Sequence, residues 1–179
     1  EKEDLLDEPE NRQVGTFVHA LLEETFKKFI GKQPALSASF QKYFKESFND
    51  LFEKTFARSM KADAFLLKAV LETRLELFLR NEAENPERRV KEILFIEKRF
   101  ADTITLPCGA FPFVCRLDRV DRLEDGTVMI LDYKTGGADP LPRGLEVIER
   151  MSLSRQTIYE NVRSFQLPLY FYYLQKYFP

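Results

Sequence analysis

The stretch Phe113 to Gly136, FVCRLDRVDRLEDGTVMILDYKTG, limits the fold more than any other part of the chain. Phe113–Leu123 and Thr127–Thr135 carry Val, Ile, Leu, Phe or Cys at a period of two, which is the spacing of strands. Glu124-Asp125-Gly126 lies between them as a turn, so the two strands form a hairpin. Two registers are open. A two-residue turn at Asp125-Gly126 sets Asp118 against Tyr133 and sends the carboxylates of Asp118 and Asp132 to opposite faces. A three-residue loop with Gly126 left-handed pairs Leu123 with Thr127 and Asp118 with Asp132. Lys134, two residues on, then projects from the same face.

In the second register two carboxylates stand side by side and repel. Unit charges 4 Å apart at an effective dielectric of about 20 interact by about 4 kcal/mol. That is a large share of the roughly 5–15 kcal/mol that holds a domain together. A shared proton, the ammonium of Lys134, the guanidinium of Arg116 or a divalent cation can offset it. Oxygen ligands favour a hard ion, Mg²⁺ or Mn²⁺. The plain alternative is a solvent-facing hairpin with two aspartates in surface ion pairs. The run Val128-Met129-Ile130-Leu131 argues against it, because such a run reads as a strand buried on both faces.

Leu117-Asp118-Arg119-Val120-Asp121 followed by Leu131-Asp132-Tyr133-Lys134-Thr135-Gly136 resembles the PD-(D/E)xK nuclease signature, in particular its RecB-like exonuclease branch. Two further motifs agree with that branch. Gly15-Thr16-Phe17-Val18-His19 is similar to its G-x-x-x-H, and Gln166-Leu167-Pro168-Leu169-Tyr170 to its Q-x-x-x-Y. The resemblance implies an α/β fold, a restriction-endonuclease-like mixed sheet of four or five strands flanked by helices, with an N-terminal helical insertion or cap. It implies that His19, Asp118 and Asp132 hold Mg²⁺ or Mn²⁺ and that Lys134 positions the attacking water. Gln166 and Tyr170 would orient Lys134 or the scissile phosphate. Relatives often carry a glutamate at the position of Glu97. For that residue two roles stand side by side, contact with the metal site and an ion pair with Lys98 or Arg99. Asp121 falls on the opposite strand face from Asp118, which suggests a structural role.

Along the chain, residues 1–12 are acidic and contain Pro9, and read as an arm or linker. Residues 13–179 form one domain, with a helical part over 13–90 and the catalytic sheet and final helix over 91–179. Helical spacing runs over Gln13–Ile30, Phe40–Ala57 and Phe65–Leu79, and the phenylalanines of the second helix form a core stripe. His19, the chain's single histidine, falls on the first helix. Glu23, one turn on, shares its face and either orients the ring or lies in solvent. Ile93–Phe100 reads as a core strand. Glu87-Arg88-Arg89-Val90-Lys91 is a basic cluster, either a solvated face or a phosphate contact. A loop over Gly137–Gly144 leads to a short helix or mobile gate at Leu145–Leu153. The last helix spans Arg155–Tyr177, and Pro168 implies a kink or a helix start there.

The 44% hydrophobic content with 17 phenylalanines is ample for a core, and no apolar run approaches the length of a membrane span. Cys108 and Cys115 are the only cysteines, so a reduced, cytoplasmic setting is expected and the four-cysteine iron–sulfur cluster of some RecB-like nucleases is not. The chain opens without Met and reads as a domain of a longer protein. Relatives continue past the final helix with a further strand, so the sheet is expected to be incomplete or closed by a partner. A net charge of −2 counts against strong autonomous binding of DNA, and a helicase subunit or domain is the expected source of the strand. The implied activity is metal-dependent hydrolysis of DNA. The alternatives are a catalytically silent DNA-binding or scaffold module of a helicase–nuclease complex, and an unrelated α+β domain, which would leave His19 far from Asp118.

Overall fold

The computed structural model describes residues 4–56, 64–85, 88–137 and 140–178. Helix α1 (Asp4–Phe26) and the 3₁₀ turn Lys27–Phe29 are followed by α2 (Ala38–Phe56) and α3 (Ala64–Glu84). Strands β1 (Val90–Leu106), β2 (Gly109–Leu123) and β3 (Val128–Leu131) come next, then α4 (Leu145–Arg150), α5 (Arg155–Asn161) and α6 (Gln166–Leu174). The chain divides into two compact units, residues 1–135 and 136–179. This is a mixed α/β architecture with an N-terminal helical part, as the restriction-endonuclease-like expectation requires.

The helical part is held by phenylalanine. Phe40, Phe44, Phe48, Phe52 and Phe56 recur every four residues on α2, and all are buried. Phe17 of α1 meets Phe48, Phe52 and Phe56 edge-on at 5.4–5.9 Å, and Phe26 meets Phe40 at 5.2 Å and Phe78 of α3 at 6.3 Å. Edge-to-face pairs at these separations add to the hydrophobic gain of burial. The helix α1 is already formed at Asp4, so the acidic segment expected as an arm is helical from there. Residues 1–3 of that segment lie outside the described residues.

The sheet differs from expectation in size. Among the described residues it has three strands, in the antiparallel order β1-β2-β3, rather than four or five. One parallel bridge, Ile30 to Ile93, gives it a mixed character. The doubly buried strand is central β2, closed from Leu117 to Asp121, whereas β3 is a half-buried edge of four residues. Asp132-Tyr133-Lys134 therefore follows the end of β3 and is not paired within it. The hairpin register is the three-residue one: Leu123 N–H donates to Thr127 O at 2.8 Å, Gly126 has φ +90°, and Arg119 pairs with Leu131. Only glycine takes that φ without strain.

Buried β2 carries charges that the helices neutralise. Arg119 and Asp121, two residues apart and hence on one face, are fully buried. Arg119 Nε donates to Asp121 Oδ1 at 2.8 Å and Nη1 to Glu82 Oε2 of α3 at 2.7 Å. A further approach, Nη2 to Asp121 Oδ2 at 2.8 Å, is a charge contact without an aligned hydrogen bond. The guanidinium lies 5.0 Å from the Phe26 ring, and Arg88 closes the cluster on Glu82 at 3.1 Å. Arg88 and Arg89, the latter 3.9 Å from Glu124, thus serve ion pairs; Glu87 lies outside the described residues.

The second unit holds a shorter helix than the spacing suggested. Arg163 at φ +60° separates α5 from α6, and α6 begins at Gln166, which puts Pro168 in the first turn where its missing N–H costs little. The α4 segment is a six-residue helix; residues 138–139 of the loop before it are outside the described residues. No helix among the described residues is long and apolar enough to cross a membrane.

Replacing Arg119 by Met strands Asp121 without its cation and leaves Glu82 with Arg88 alone. The expected cost is about 3–5 kcal/mol, read as a lower urea midpoint, because an uncompensated buried charge is the expensive case. A midpoint unchanged from wild type contradicts the structural role given to this cluster.

Candidate metal centre

Register brings two acids abreast, Glu97 and Asp118, while Asp132 comes just past the last pair of the β2–β3 ladder, Arg119–Leu131, and is not one of the ligand-type groups that cluster within 4.8 Å. Glu97 falls between Ile96–Arg119 and Lys98–Leu117, so it stands across from Asp118. Two register shifts early in β1, after Val90 and after Ile93, set which residue of that strand reaches this row. Glu97 itself has φ +46°, a conformation that costs a non-glycine residue about 1–3 kcal/mol and persists only where its surroundings enforce it.

His19 reaches the row from α1. Its Nε2 lies 3.2 Å from the carbonyl oxygen of Tyr133, an acceptor only, so a proton on this nitrogen makes that contact a hydrogen bond. Its Nδ1 then faces Glu97 Oε1 at 2.7 Å and Asp118 Oδ1 at 3.6 Å. A lone pair aimed at two carboxylates is repulsive until a proton or cation sits among them. This is how metal-binding imidazoles are commonly held, the distal N–H on a backbone carbonyl and the other nitrogen toward the ion. Ligand atoms of His19, Glu97 and Asp118 all lie within 4.8 Å of one another, and one nitrogen with carboxylate oxygens suits a hard divalent ion. The residues present fit the group.

Gly15, one turn before His19, faces the end of the hairpin, where a Cβ would meet Thr135 Oγ1 at 3.4 Å, an ordinary contact. Asp118, buried at 8% exposure, accepts from Tyr133 N–H at 2.6 Å through Oδ2. Burial pushes its carboxyl above the usual carboxylate range, the Tyr133 N–H and His19 oppose this, and Asp132 and Glu97 reinforce it. Asp132 turns its Oδ2 to Lys134 Nζ at 2.9 Å. Tyr133 lies between them in sequence; its ring meets Phe78 at 5.8 Å and His19 at 6.0 Å. Burial pushes its hydroxyl up, while the positive charge of Arg119 pulls the other way.

Two expected roles change hands. Arg116 offsets Glu97, at 2.7 Å, and approaches Glu23 at 3.9 Å, instead of bridging Asp118 and Asp132. Glu97, and not Glu23, holds the imidazole, because β1 comes closer to Nδ1 than the next turn of the helix does. Glu97 contacts His19 and Arg116 rather than Lys98 or Arg99. The close approach of His19 to Asp118 removes the reading of a fortuitous D-x-K. Gln166 and Tyr170 belong to the second unit, where Gln166 Nε2 donates to Tyr170 Oη at 2.9 Å. The buried Arg119 cluster escaped the sequence reading, although opposite charges at i and i+2 inside an apolar strand were its signal.

The family model of the PD-(D/E)XK nuclease superfamily matches residues 2–178. No curated protein and no solved structure matches the chain.

Because the folded pKa of Asp118 is raised, its contribution to stability is present below its unfolded value near 3.9 and lost as pH rises through the folded one. At neutral pH the ionised carboxylate therefore costs stability in the metal-free protein. Asp118→Asn is expected to raise the metal-free Tm at pH 7 by roughly 2–4 °C, the shift about 1 kcal/mol gives a chain of this size. The gain should shrink as pH falls toward 4. The same variant should lose the Tm rise that Mn²⁺ gives wild type. A lower Tm for the metal-free variant, or an undiminished response to Mn²⁺, goes against this account.

Proposed function

The chain belongs to the PD-(D/E)XK nuclease superfamily, and from that premise we propose that it hydrolyses DNA phosphodiester bonds with Mg²⁺ or Mn²⁺ as a RecB-like exonuclease domain. The observation that supports this most is the convergence of His19, Glu97 and Asp118 beside the Asp132–Lys134 pair. His19, Glu97 and Asp118 would hold the ion, with Asp132 as a further ligand or as the anchor of Lys134. A divalent ion so bound lowers the pKa of a water and offsets charge on the scissile phosphate.

The chain's own residues do the rest. Lys134, kept at 2.9 Å from Asp132, carries an ammonium whose donors orient the attacking water and stabilise charge on a phosphate oxygen. Tyr133, fixed through its N–H and ring, limits how far the segment between the two can shift. We assign Gln166 and Tyr170 a hydrogen-bonding role toward the phosphate strand. A net charge of −2 gives the chain little general attraction for DNA, so a helicase subunit or domain is the proposed source of the strand.

Linear and covalently closed circular DNA incubated with Mg²⁺ or Mn²⁺ test this reading. Linear DNA should be degraded and the closed circle spared. Asp132→Ala and Lys134→Ala should each lower the rate by about 100-fold or more, the scale of losing one preorganised transition-state contact. Failure to cleave with either ion, or an Asp132→Ala variant as active as wild type, overturns it.

A further inference from the structure

A cleft of about 300 Å³ opens beside the Asp132–Lys134 pair, within the first unit. That volume is at the small end of sites for organic ligands and about ten times the roughly 30 Å³ share of a water molecule. Its walls are Val14 and Val18 of α1, Leu71, Leu75 and Phe78 of α3, and Tyr133. Val14 and Val18 are four apart, as are Leu71 and Leu75, so each helix turns one apolar stripe to the cleft. Polar groups are confined to two places. Asp132, Lys134 and Thr135 mark one side, and exposed Arg74 the rim.

We propose that this cleft receives one unpaired nucleobase of the nucleotide next to the scissile phosphate, which makes single-stranded or frayed DNA the substrate class. The inference rests on the nuclease reading above and narrows it. Whatever phosphate lies against Lys134 carries a nucleoside, and the space beside Lys134 is apolar with aromatic side chains in its wall. A base offers a flat apolar face to such a wall; a base in a duplex is already stacked and paired, and enters only after paying to leave the stack. Arg74 and Lys134, both exposed at the edge of the cleft, supply positive charge where the phosphates flanking that base must run. The acidic chain otherwise offers the backbone little.

The chain contains no tryptophan, so Phe78→Trp places a single reporter in the cleft wall. In EDTA, a short oligothymidylate is expected to quench its fluorescence, and a blunt duplex of the same length is not. Should that variant fail to fold, Val14→Trp at the half-buried mouth gives the same readout. With Mn²⁺, an abasic nucleotide scanned along a single strand is expected to raise KM at one position by about tenfold, the scale of losing one stacked base. Arg74→Ala is expected to raise KM for single strands several-fold and Arg74→Lys to restore most of it. Equal quenching by strand and duplex, no quenching by either, or an active enzyme indifferent to every abasic position overturns the proposal. A protein that is quenched selectively by single strands yet cleaves no DNA overturns the nuclease reading instead.

Discussion

Carboxylates crowded where water is scarce are what the first unit has to accommodate. Glu97 and Asp118 stand abreast on neighbouring strands with Asp132 just past the end of the ladder, Asp118 is buried, and like charges crowded together cost kilocalories unless a cation intervenes. The protein supplies part of the compensation: Arg116 on Glu97, Lys134 on Asp132, and the Tyr133 amide on Asp118. What remains is the space between Glu97, Asp118 and His19 Nδ1, where three donors of electron pairs meet. An imidazole held by its other nitrogen on a backbone carbonyl cannot turn away from that space without losing a hydrogen bond.

The rest of the unit serves to hold that arrangement. The phenylalanine core fixes α1 against α2 and so the height of His19 above the sheet. The Arg119 cluster ties β2 to α3. A left-handed glutamate at 97 is the visible strain, and its two carboxylate oxygens, on His19 and Arg116, are what enforce it. Strain concentrated at a cluster of ligand-type groups is the pattern of a functional site rather than of a packing accident.

Much of this was legible in the residues because local chemistry decided it. Gly126 in its left-handed conformation goes with the three-residue hairpin, the register that pairs Arg119 with Leu131. Phenylalanines four apart mark the buried stripe of α2 without help from the rest of the chain. Other features depend on neighbours distant in sequence. The face presented by Glu97 follows from two register shifts that no period-two count reveals, and so does its partnership with Arg116. The run Val128–Leu131 looks doubly buried, yet only a fourth strand would have made it so, and β3 lies at an edge. The final helix breaks at Arg163 because Pro168 fits a first turn better than an interior.

The chain has one histidine, and this gives the central claim a direct test. Pulsed electron paramagnetic resonance of Mn²⁺ bound to protein carrying ¹⁵N-labelled histidine reports whether that imidazole touches the ion. The account predicts one Mn²⁺ per chain with a single histidine nitrogen coupling that disappears in His19→Gln. Mn²⁺ bound without any nitrogen coupling, or no bound Mn²⁺ at all, contradicts it.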